Sequence, residues 1–376
     1  MRNVNLLIKP ASSLCNLRCK YCFYEDESEN RTQKCMGIMQ EDVADRLIDA
    51  AFSALDDRGS VSFSFQGGEP TMAGLAFFEH FVAAVQKKKP AGVQASYAIQ
   101  TNGTLLDERW AGFFRKNSFL VGLYIDGNRA LHDENRVDVQ GKGTYARAVS
   151  ALELLQRAGV DVNLLCVVTR RCASSPQRVY QALRNLNVGY LQFIPCLDPL
   201  DAQRGSMRYS LTPALLGSFL CTLFDLWYAD WKRGSYVSIR QFDDYVHLAL
   251  GVPPSTCSSS GRCGGYLVIE SDGSAYPCDF YALDQWRLGS LMENTVEELM
   301  NSPRYAEFVR QSADRPKQCT ACAYFPLCHG GCRRDWQMDA HGNRNYFCPA
   351  YQKLFAYAAG RIAEIARAER MAQMMG

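Results

Sequence analysis

The sequence predicts an α/β fold in which helices cover a parallel β-sheet. Between residues 41 and 194, helical and strand-like apolar periodicity alternate along the chain. The strand-like segments are rich in apolar residues, which favours parallel strands buried on both faces. Polar motifs that contain glycine follow three of these segments, and the loops after parallel strands meet at one edge of a sheet. The chemistry is therefore expected at the carboxyl ends of the strands.

The predicted elements follow one another in βα order, and each depends on its local pattern. Runs of apolar, β-branched or aromatic residues predict strands at residues 60–65, 94–100, 119–125, 161–169 and 190–194. Apolar residues at helical spacing predict helices at residues 41–55, 75–88, 107–116, 144–158, 175–186 and 213–233. Beyond residue 250 the chain is rich in loops, with one hairpin predicted to turn on Ser271-Asp272-Gly273. Such a stretch holds too little core to fold alone, so bound metal is expected to stabilise it.

Length and composition exclude several classes of protein. The chain has 376 residues, 47% of them hydrophobic, which is enough for one large core and an appendage. Its formal net charge of +2 argues against a nucleic-acid or membrane partner. The opening apolar run is broken by Lys9 and Pro10, too early for a secretory signal. No apolar run reaches the roughly 18 residues that span a bilayer, so a cytoplasmic protein is expected.

The most unusual feature of the composition is its sixteen cysteines. In a reducing compartment, clustered cysteines usually bind metal or take part in catalysis. Cys15, Cys19 and Cys22 have the spacing C-x3-C-x2-C, whereas iron–sulfur cubanes are normally held by four thiolates. Three thiolates on one short loop suggest a [4Fe–4S] cluster with one iron open to another ligand. Zinc is the alternative, but it needs a fourth ligand, and the nearest cysteine, Cys35, follows a long polar stretch.

This motif resembles the signature of the radical S-adenosylmethionine (SAM) superfamily, in which an aromatic residue, here Tyr21, precedes the last cysteine. The resemblance implies that residues 1–235 form a partial (β/α)6 barrel. It also implies that the open iron binds SAM, which is cleaved to methionine and a 5′-deoxyadenosyl radical. Gly67-Gly68-Glu69-Pro70 resembles the element that meets the SAM amino group in this superfamily, although taken alone it would be an ordinary turn.

The same resemblance implies a SAM site built from residues at the ends of the strands. Its expected members are Tyr21, Gly68, Glu69, Gln100, Tyr124, Arg136 and Leu197. Arg136 could pair with the SAM carboxylate, with a surface salt bridge as the alternative role. Tyr124 departs from the narrower family described below, because those relatives have a small serine there. The bulk of Tyr124 is expected to reshape either the region around the SAM tail or the entrance for the substrate.

A second group of cysteines lies in the last third of the chain. Its spacing resembles the SPASM extension of radical SAM enzymes, which implies a domain over residues 236–376 with two further [4Fe–4S] clusters and a C-terminal helix. The implied ligands are Cys257, Cys263, Cys278 and Cys332 for auxiliary cluster I, and Cys319, Cys322, Cys328 and Cys348 for auxiliary cluster II. Structural zinc ribbons are the alternative, since C-x2-C pairs are common in them.

A narrower resemblance, to anaerobic sulfatase-maturating enzymes, extends over nearly the whole chain. It includes Cys22-Phe23-Tyr24, Gln66-Gly67-Gly68-Glu69-Pro70 and Tyr276-Pro277-Cys278-Asp279. Those enzymes oxidise a Cys or Ser of a sulfatase to Cα-formylglycine, so the resemblance implies a protein or peptide substrate. It further implies three [4Fe–4S] clusters in total and a low-potential electron donor such as flavodoxin or ferredoxin.

In this family-based hypothesis, Asp279 is the base that takes the proton of the substrate thiol or hydroxyl. Because Asp279 follows Cys278, the proton and the electron would leave in the same neighbourhood, the electron towards auxiliary cluster I. A turn-capping role is the alternative for this residue. Tyr24 and Gln66 are expected to face the substrate peptide, with a core aromatic and a solvated amide as the alternatives.

Two other functions remain open at this point. A maturase of ribosomally made peptides would use the same cofactors to form thioether or carbon–carbon cross-links or epimerised residues. Such enzymes often carry an N-terminal leader-binding domain, whereas this sequence reaches its first cysteine motif at residue 15, which weighs against that function. A zinc-ribbon interaction protein without catalysis is the alternative from another class, and iron and sulfide analysis distinguishes it.

Overall fold

The computed structural model describes residues 1–339 and 342–375 of the chain. Its strands are β1 Asn3–Ile8, β2 Ser60–Phe65, β3 Gln94–Thr101, β4 Phe119–Tyr124, β5 Asp161–Val168, β6 Tyr190–Pro195, β7 Ser238–Ile239, β8 Leu267–Ile269, β9 Ser274–Tyr276, β10 Gly289–Ser290, β11 Trp336–Asp339 and β12 Gly342–Asn345. Its helices are α1 Phe23–Glu29, α2 Glu41–Ser53, α3 Leu75–Lys88, α4 Glu108–Lys116, α5 Arg129–Asn135, α6 Tyr145–Arg157, α7 Arg170–Ala173, α8 Pro176–Arg184, α9 Pro213–Lys232, α10 Arg240–Leu250, α11 Cys257–Ser260, α12 Val296–Met300, α13 Pro303–Ala313, α14 Phe325–Cys328 and α15 Cys348–Met375.

The strands β1 to β10 form one sheet, in the order β10-β9-β8-β1-β2-β3-β4-β5-β6-β7. From β1 to β7 each strand runs parallel to its neighbours, which confirms the predicted α/β fold with a parallel sheet. The loops after these strands therefore meet at one edge of the sheet. Strand β1 was not predicted from the sequence, although Val4, Leu6 and Ile8 alternate with more exposed residues and are buried.

Local capping explains small shifts at the ends of the predicted helices. The helix predicted at 107–116 begins at Glu108, because Asp107 is its N-cap. The Asp107 side chain accepts hydrogen bonds from the backbone N–H groups of Arg109 and Trp110, which would otherwise lack a partner. The strand at Ser60–Phe65 and the helix at Leu75–Lys88 coincide with their predictions.

The predicted hairpin is formed by β8 and β9, whose antiparallel pairing places Val268 opposite Tyr276. On its other edge β8 pairs in parallel with β1, with Leu6 opposite Leu267. The cysteine-rich part of the chain thus extends the main sheet. The division into domains at residues 235 and 236 stays a prediction, because the sheet continues across it.

The core lies between the sheet and the helices that cover it. Fully buried aromatic rings fill part of this layer, and Phe65 contacts Phe78 and Phe81 with ring centroids 4.9 and 5.1 Å apart. The C-terminal helix α15 packs along α9 and α10 and so joins the end of the chain to the barrel helices. Among residues 1–339 and 342–375, no helix is long and apolar enough to cross a membrane.

Candidate active site and cluster-binding cysteines

The loop with the first three cysteines follows β1 and is held against the loop that follows β2. The amide of Gly68 donates to the carbonyl of Ser12 at 2.9 Å, and the amide of Glu69 donates to the carbonyl of Leu14 at 2.8 Å. A Cβ at Gly68 would lie 2.1 Å from the Leu14 carbonyl oxygen, so only glycine allows this approach. The predicted SAM element is therefore in direct backbone contact with the segment that leads into Cys15.

The carboxylate of Glu69 is buried and bonded to neighbouring protein groups. It accepts hydrogen bonds from the backbone and hydroxyl of Thr71, from the hydroxyl of Thr101 at 2.7 Å and from the amide of Asn102 at 2.8 Å. Burial raises the pKa of this carboxyl, and the hydrogen bonds partly oppose the shift. The side chain thus ties the loop after β2 to the end of β3, while its binding to SAM stays a prediction.

The thiols of Cys15, Cys19 and Cys22 lie on the same partly buried loop. Burial raises the pKa of the Cys15 and Cys19 thiols to about 12, and Cys22 is among the neighbouring thiols that raise both values further. An Arg136 guanidinium nitrogen lies 3.9 Å from Cys19 Sγ. A donor set made only of thiols fits an iron–sulfur cluster. Cys35, the other candidate ligand, has its sulfur 3.4 Å from the amide nitrogen of Gly37.

Four of the predicted SAM residues form one connected group at the edge of the sheet. Tyr21 donates through its hydroxyl to Asp126, and Arg136 donates through Nε to the same carboxylate at 3.0 Å. The Arg136 guanidinium lies 4.4 Å from the centre of the Tyr124 ring, and the Tyr124 hydroxyl donates to Gln100 at 2.7 Å. This group, together with its proximity to Cys19, fits a site for a charged cofactor beside the cysteine loop.

Sequence reasoning missed the role of Asp126, which holds this group together. Its second oxygen accepts a hydrogen bond from the backbone N–H of Val167 at 2.9 Å, so it also joins β4 to β5. The available signal was the Asp126-Gly127 pair immediately after an apolar strand. Leu197 follows β6 at the same edge and is half-buried, and its side chain has no polar atom to join these hydrogen bonds.

The predicted base and the predicted substrate-facing residues also come together. The Tyr24 hydroxyl lies 2.6 Å from Asp279 Oδ2 and 2.9 Å from the side-chain oxygen of Gln66. Asp279 is 7% exposed, and its burial raises the pKa of its carboxyl while the positive charge of Lys9 lowers it. The side chains of residues 24, 66 and 279 therefore form one polar cluster, although they are far apart in the sequence.

A buried network of charges lies next to Asp279, and it was not predicted from the sequence. Lys9 is 1% exposed, and its Nζ lies 3.0 Å from Glu27 Oε2, 3.5 Å from Asp279 Oδ1 and 3.7 Å from Glu270 Oε1. Arg31 forms an ion pair with Glu270. Burial raises the pKa of Glu27 to about 7, and Lys9 opposes that rise. The only signal in the sequence was a lysine at the end of an apolar run.

Several of the eight C-terminal cysteines lie near one another. Burial raises the pKa of the Cys278 and Cys332 thiols, and Cys257 raises both further, so members of the first set are neighbours. The second set lines one small cavity: Cys319, Cys322, Cys328 and Cys348. In the part of the chain that the structure describes, no three His, Cys, Asp or Glu residues have the arrangement of a single-ion site. Two all-thiol sets fit clusters, and their assignment stays a prediction.

Comparisons with known proteins first give the class. Residues 10–171 match the model of the radical SAM superfamily, and residues 257–323 match that of the SPASM iron–sulfur cluster-binding domain. The protein is therefore a radical SAM enzyme with a SPASM domain. This class uses a [4Fe–4S] cluster with SAM, and the SPASM domain binds further iron–sulfur clusters.

Similar proteins then give the family. The chain is 43% identical to a cysteine-type anaerobic sulfatase-maturating enzyme from Clostridium perfringens, over 97% of this chain and 99% of the relative. It is 40% identical to a cysteine-type enzyme from Clostridium novyi over 98% of both chains, and 30% identical to a serine-type enzyme from Bacteroides thetaiotaomicron over 94% and 89% of the respective chains. The chain belongs to the family of anaerobic sulfatase-maturating enzymes.

Solved structures agree with this membership. The structure described as native anSMEcpe with bound AdoMet has a TM-score of 0.93 and 43% identity, covering 97% of this chain and 99% of the other. That described as native anSMEcpe with bound AdoMet and Kp18Cys peptide has a TM-score of 0.92 and 42% identity, with the same coverage. The α/β architecture is therefore that of this family.

Proposed function

We propose that this protein oxidises a cysteine of a protein or peptide substrate to Cα-formylglycine. One observation carries the proposal: the buried carboxylate of Asp279 adjoins Cys278 and lies 2.6 Å from the Tyr24 hydroxyl, two residues beyond Cys22. A candidate base thus lies between the first cysteine loop and the first SPASM set. The oxidation of a thiol-bearing carbon needs a base at such a place.

Three [4Fe–4S] clusters and SAM fit the donor sets of the chain. Cys15, Cys19 and Cys22 would hold the SAM-binding cluster, and the two C-terminal sets of four would hold the auxiliary clusters. SAM would lie beside Tyr21, Gly68, Glu69, Gln100, Tyr124, Arg136 and Leu197. When bound, these groups supply a carbon radical that removes a hydrogen atom from the substrate Cβ, and an acceptor for one electron.

The residues of the chain handle the proton and hold the substrate. Asp279 takes the thiol proton, while Tyr24 holds one of its carboxylate oxygens and Gln66 lies on the other side of the tyrosine hydroxyl. Loss of one hydrogen atom, one proton and one electron converts the Cys side chain into a thioaldehyde. Water then replaces the sulfur, which leaves as hydrogen sulfide, and the product is the aldehyde of formylglycine.

The preference for cysteine over serine is supported by the relatives. The cysteine-type enzymes from the two Clostridium species are 43% and 40% identical to this chain, whereas the serine-type enzymes from Bacteroides thetaiotaomicron and Klebsiella pneumoniae are 30% and 34% identical. A sulfatase is the proposed substrate protein. A low-potential flavodoxin or ferredoxin is the proposed electron donor, and a reducing, cytoplasmic compartment suits a chain with sixteen cysteines.

A single incubation tests the function. Reconstituted enzyme, SAM and reductant are mixed with a peptide containing Cys-x-Pro-x-Arg, and the peptide mass is recorded. Conversion of Cys to formylglycine lowers the mass by roughly 18 Da, because oxidation removes two hydrogens and hydrolysis then exchanges sulfur for oxygen. A loss of roughly 2 Da would indicate a cross-link made by the same cofactors, and it would overturn the proposal. An unchanged mass alongside SAM cleavage would also contradict it.

A further inference from the structure

The buried Lys9, directly after β1, contacts residues from several separate elements around Asp279. The backbone N–H of Lys9 donates to the carbonyl of Ile269 on β8, at 2.8 Å. Its ammonium group contacts Glu27 on α1, Glu270 in the hairpin turn and Asp279 beyond β9. The side chain also passes 5.0 Å from the centre of the Tyr24 ring. Lys9 therefore links the radical SAM part of the sheet to the turn that carries the base.

Glu27 holds the same turn from a second direction. One carboxylate oxygen lies 3.0 Å from Lys9 Nζ, and the other accepts the backbone N–H of Ala282 at 2.6 Å. Asp279 and Ala282 lie at the two ends of one short turn, so Glu27 fixes the turn while Lys9 faces the carboxylate. Glu27 is 3% exposed, which keeps water from replacing either contact.

The two oxygens of Asp279 have different surroundings. Oδ2 lies 2.6 Å from the Tyr24 hydroxyl, whereas Oδ1, within residues 1–339 and 342–375, has no hydrogen-bond donor. The nearest cation to Oδ1 is Lys9, at 3.5 Å, which is longer than a good charged hydrogen bond. Oδ1 is thus held in place by charge but keeps its capacity to accept a hydrogen bond.

We propose that Lys9 and Glu27 are positioning residues for the oxidation, which together fix the Asp279 carboxylate where it takes the substrate proton. The inference rests on the proposed function, since it assigns a task to the base of that reaction. In the described part of the chain, neither side chain forms a hydrogen bond or ion pair with a cysteine of the predicted sets. Their loss should therefore affect the use of the radical and leave its formation intact. A displacement of about 1 Å at a reacting group lowers rates by roughly 100-fold.

The test compares Glu27→Gln and Lys9→Met with the parent enzyme, using a Cys peptide and SAM. Glu27→Gln keeps an oxygen for the Ala282 N–H but loses the anion beside Lys9. We expect kcat for formylglycine to fall roughly 10- to 100-fold, KM for the peptide to stay within about twofold, and deoxyadenosine formed per formylglycine to rise. In Lys9→Arg, the deoxyadenosine-to-formylglycine ratio should lie between those of Lys9→Met and the parent enzyme. The double variant should be no worse than Lys9→Met, because both residues act through Asp279.

Asp230→Asn is the matched control. Asp230 on α9 is as buried as Asp279, accepts from the Tyr180 hydroxyl at 2.6 Å and pairs with Arg184 at 3.1 Å, so this variant disturbs a similar network outside the site. It should lower thermal stability with the deoxyadenosine-to-formylglycine ratio unchanged. Iron content and melting temperature are measured for every variant.

Two results would overturn the inference. One is that both Glu27→Gln and Lys9→Met form as much deoxyadenosine per formylglycine as the parent enzyme does. The other is a parallel loss of SAM cleavage, iron and oxidation, which indicates a structural role alone; if Lys9→Met does not fold, Glu27→Gln and Lys9→Arg decide between these outcomes. Failure of the proposed function has a different signature, because the parent enzyme itself would then make no formylglycine.

Discussion

The two cysteine-bearing regions differ in how their thiols are brought together. In the first region, residues 15–22 supply three thiols from one loop, and the spacing along the chain largely determines their geometry. In the second, eight thiols come from α11, α14, α15 and the loops that follow α11, β9, α13 and α14, and tertiary structure must assemble them. A local loop with three ligands leaves a coordination position open, whereas an assembled set of four closes its cluster. Reactivity is thus expected from the first region, and storage or transfer of electrons from the second.

The largest effect is expected when a cysteine of the first region is replaced. Cys15→Ala, Cys19→Ala or Cys22→Ala should abolish SAM cleavage, because the iron that would chelate SAM is lost with its cluster. Deoxyadenosine is measured by chromatography after anaerobic reconstitution. Cys221→Ala, in the half-buried middle of α9, is the control and should cleave SAM normally. Deoxyadenosine formed at the parental rate by any of the three variants would refute the assignment.

The next largest effect is a loss of peptide oxidation while SAM cleavage continues. Asp279→Asn should retain SAM cleavage but lower formylglycine formation by roughly 100-fold or more, because the amide cannot take the substrate proton. Tyr24→Phe should have a smaller effect in the same direction, since it removes one partner of the carboxylate. Both are measured as deoxyadenosine and formylglycine from the same reaction. Full product formation by Asp279→Asn would remove Asp279 from the role of base.

The second region is tested through its iron. If each set of four holds one cubane, the parent should contain about 12 iron per chain, and Cys322→Ala with Cys348→Ala should contain about 8. SAM cleavage should continue in that double variant, because the first loop is untouched. Iron and zinc are measured by elemental analysis. Two or three zinc ions per chain with no iron in the parent would contradict the cluster interpretation for both regions.

The smallest expected effect is on the affinity for SAM and concerns Tyr124, near the first cysteine loop. Tyr124→Ser removes the ring that lies under the Arg136 guanidinium and the hydroxyl that reaches Gln100. A cation–π contact of this kind contributes about 0.5 to 2 kcal/mol, so SAM should bind roughly 2- to 30-fold more weakly. The measurement is a SAM titration followed by the spectrum of the reduced cluster. Unchanged affinity for SAM would show that the contact between the Tyr124 ring and Arg136 does not contribute to SAM binding.

The strands β2 to β6 could be predicted from the sequence because they are rich in apolar residues and glycine-containing motifs follow three of them. The cysteine sets and Asp279 were predicted through motif resemblance, because each lies in a short stretch of sequence that resembles a family motif. The Lys9 network could not be found in this way. Its members come from residues 9, 27, 31, 270 and 279, and they meet only because β8 pairs with β1. Pairings between distant strands depend on the whole fold and leave no local pattern.

Asp126 and Glu69 show a second limit of sequence reasoning. A motif indicates that a carboxylate lies at the edge of the sheet, but it does not indicate which groups that carboxylate bonds. Glu69 accepts from Thr71, Thr101 and Asn102, so its side chain holds two loops together. Asp126 orients Tyr21 and Arg136. Such roles follow from directions of hydrogen bonds, which only coordinates provide.

The position of β1 between β2 and β8 has a consequence for biosynthesis. A ribosome makes β8 (Leu267–Ile269) long after β1 (Asn3–Ile8), although the two strands are neighbours in the sheet. One edge of β1 therefore stays unpaired until β8 has been made, and the loop with Cys15, Cys19 and Cys22 follows that strand. A nascent chain that stalls before residue 267 therefore exposes an unpaired strand edge, which is prone to aggregation.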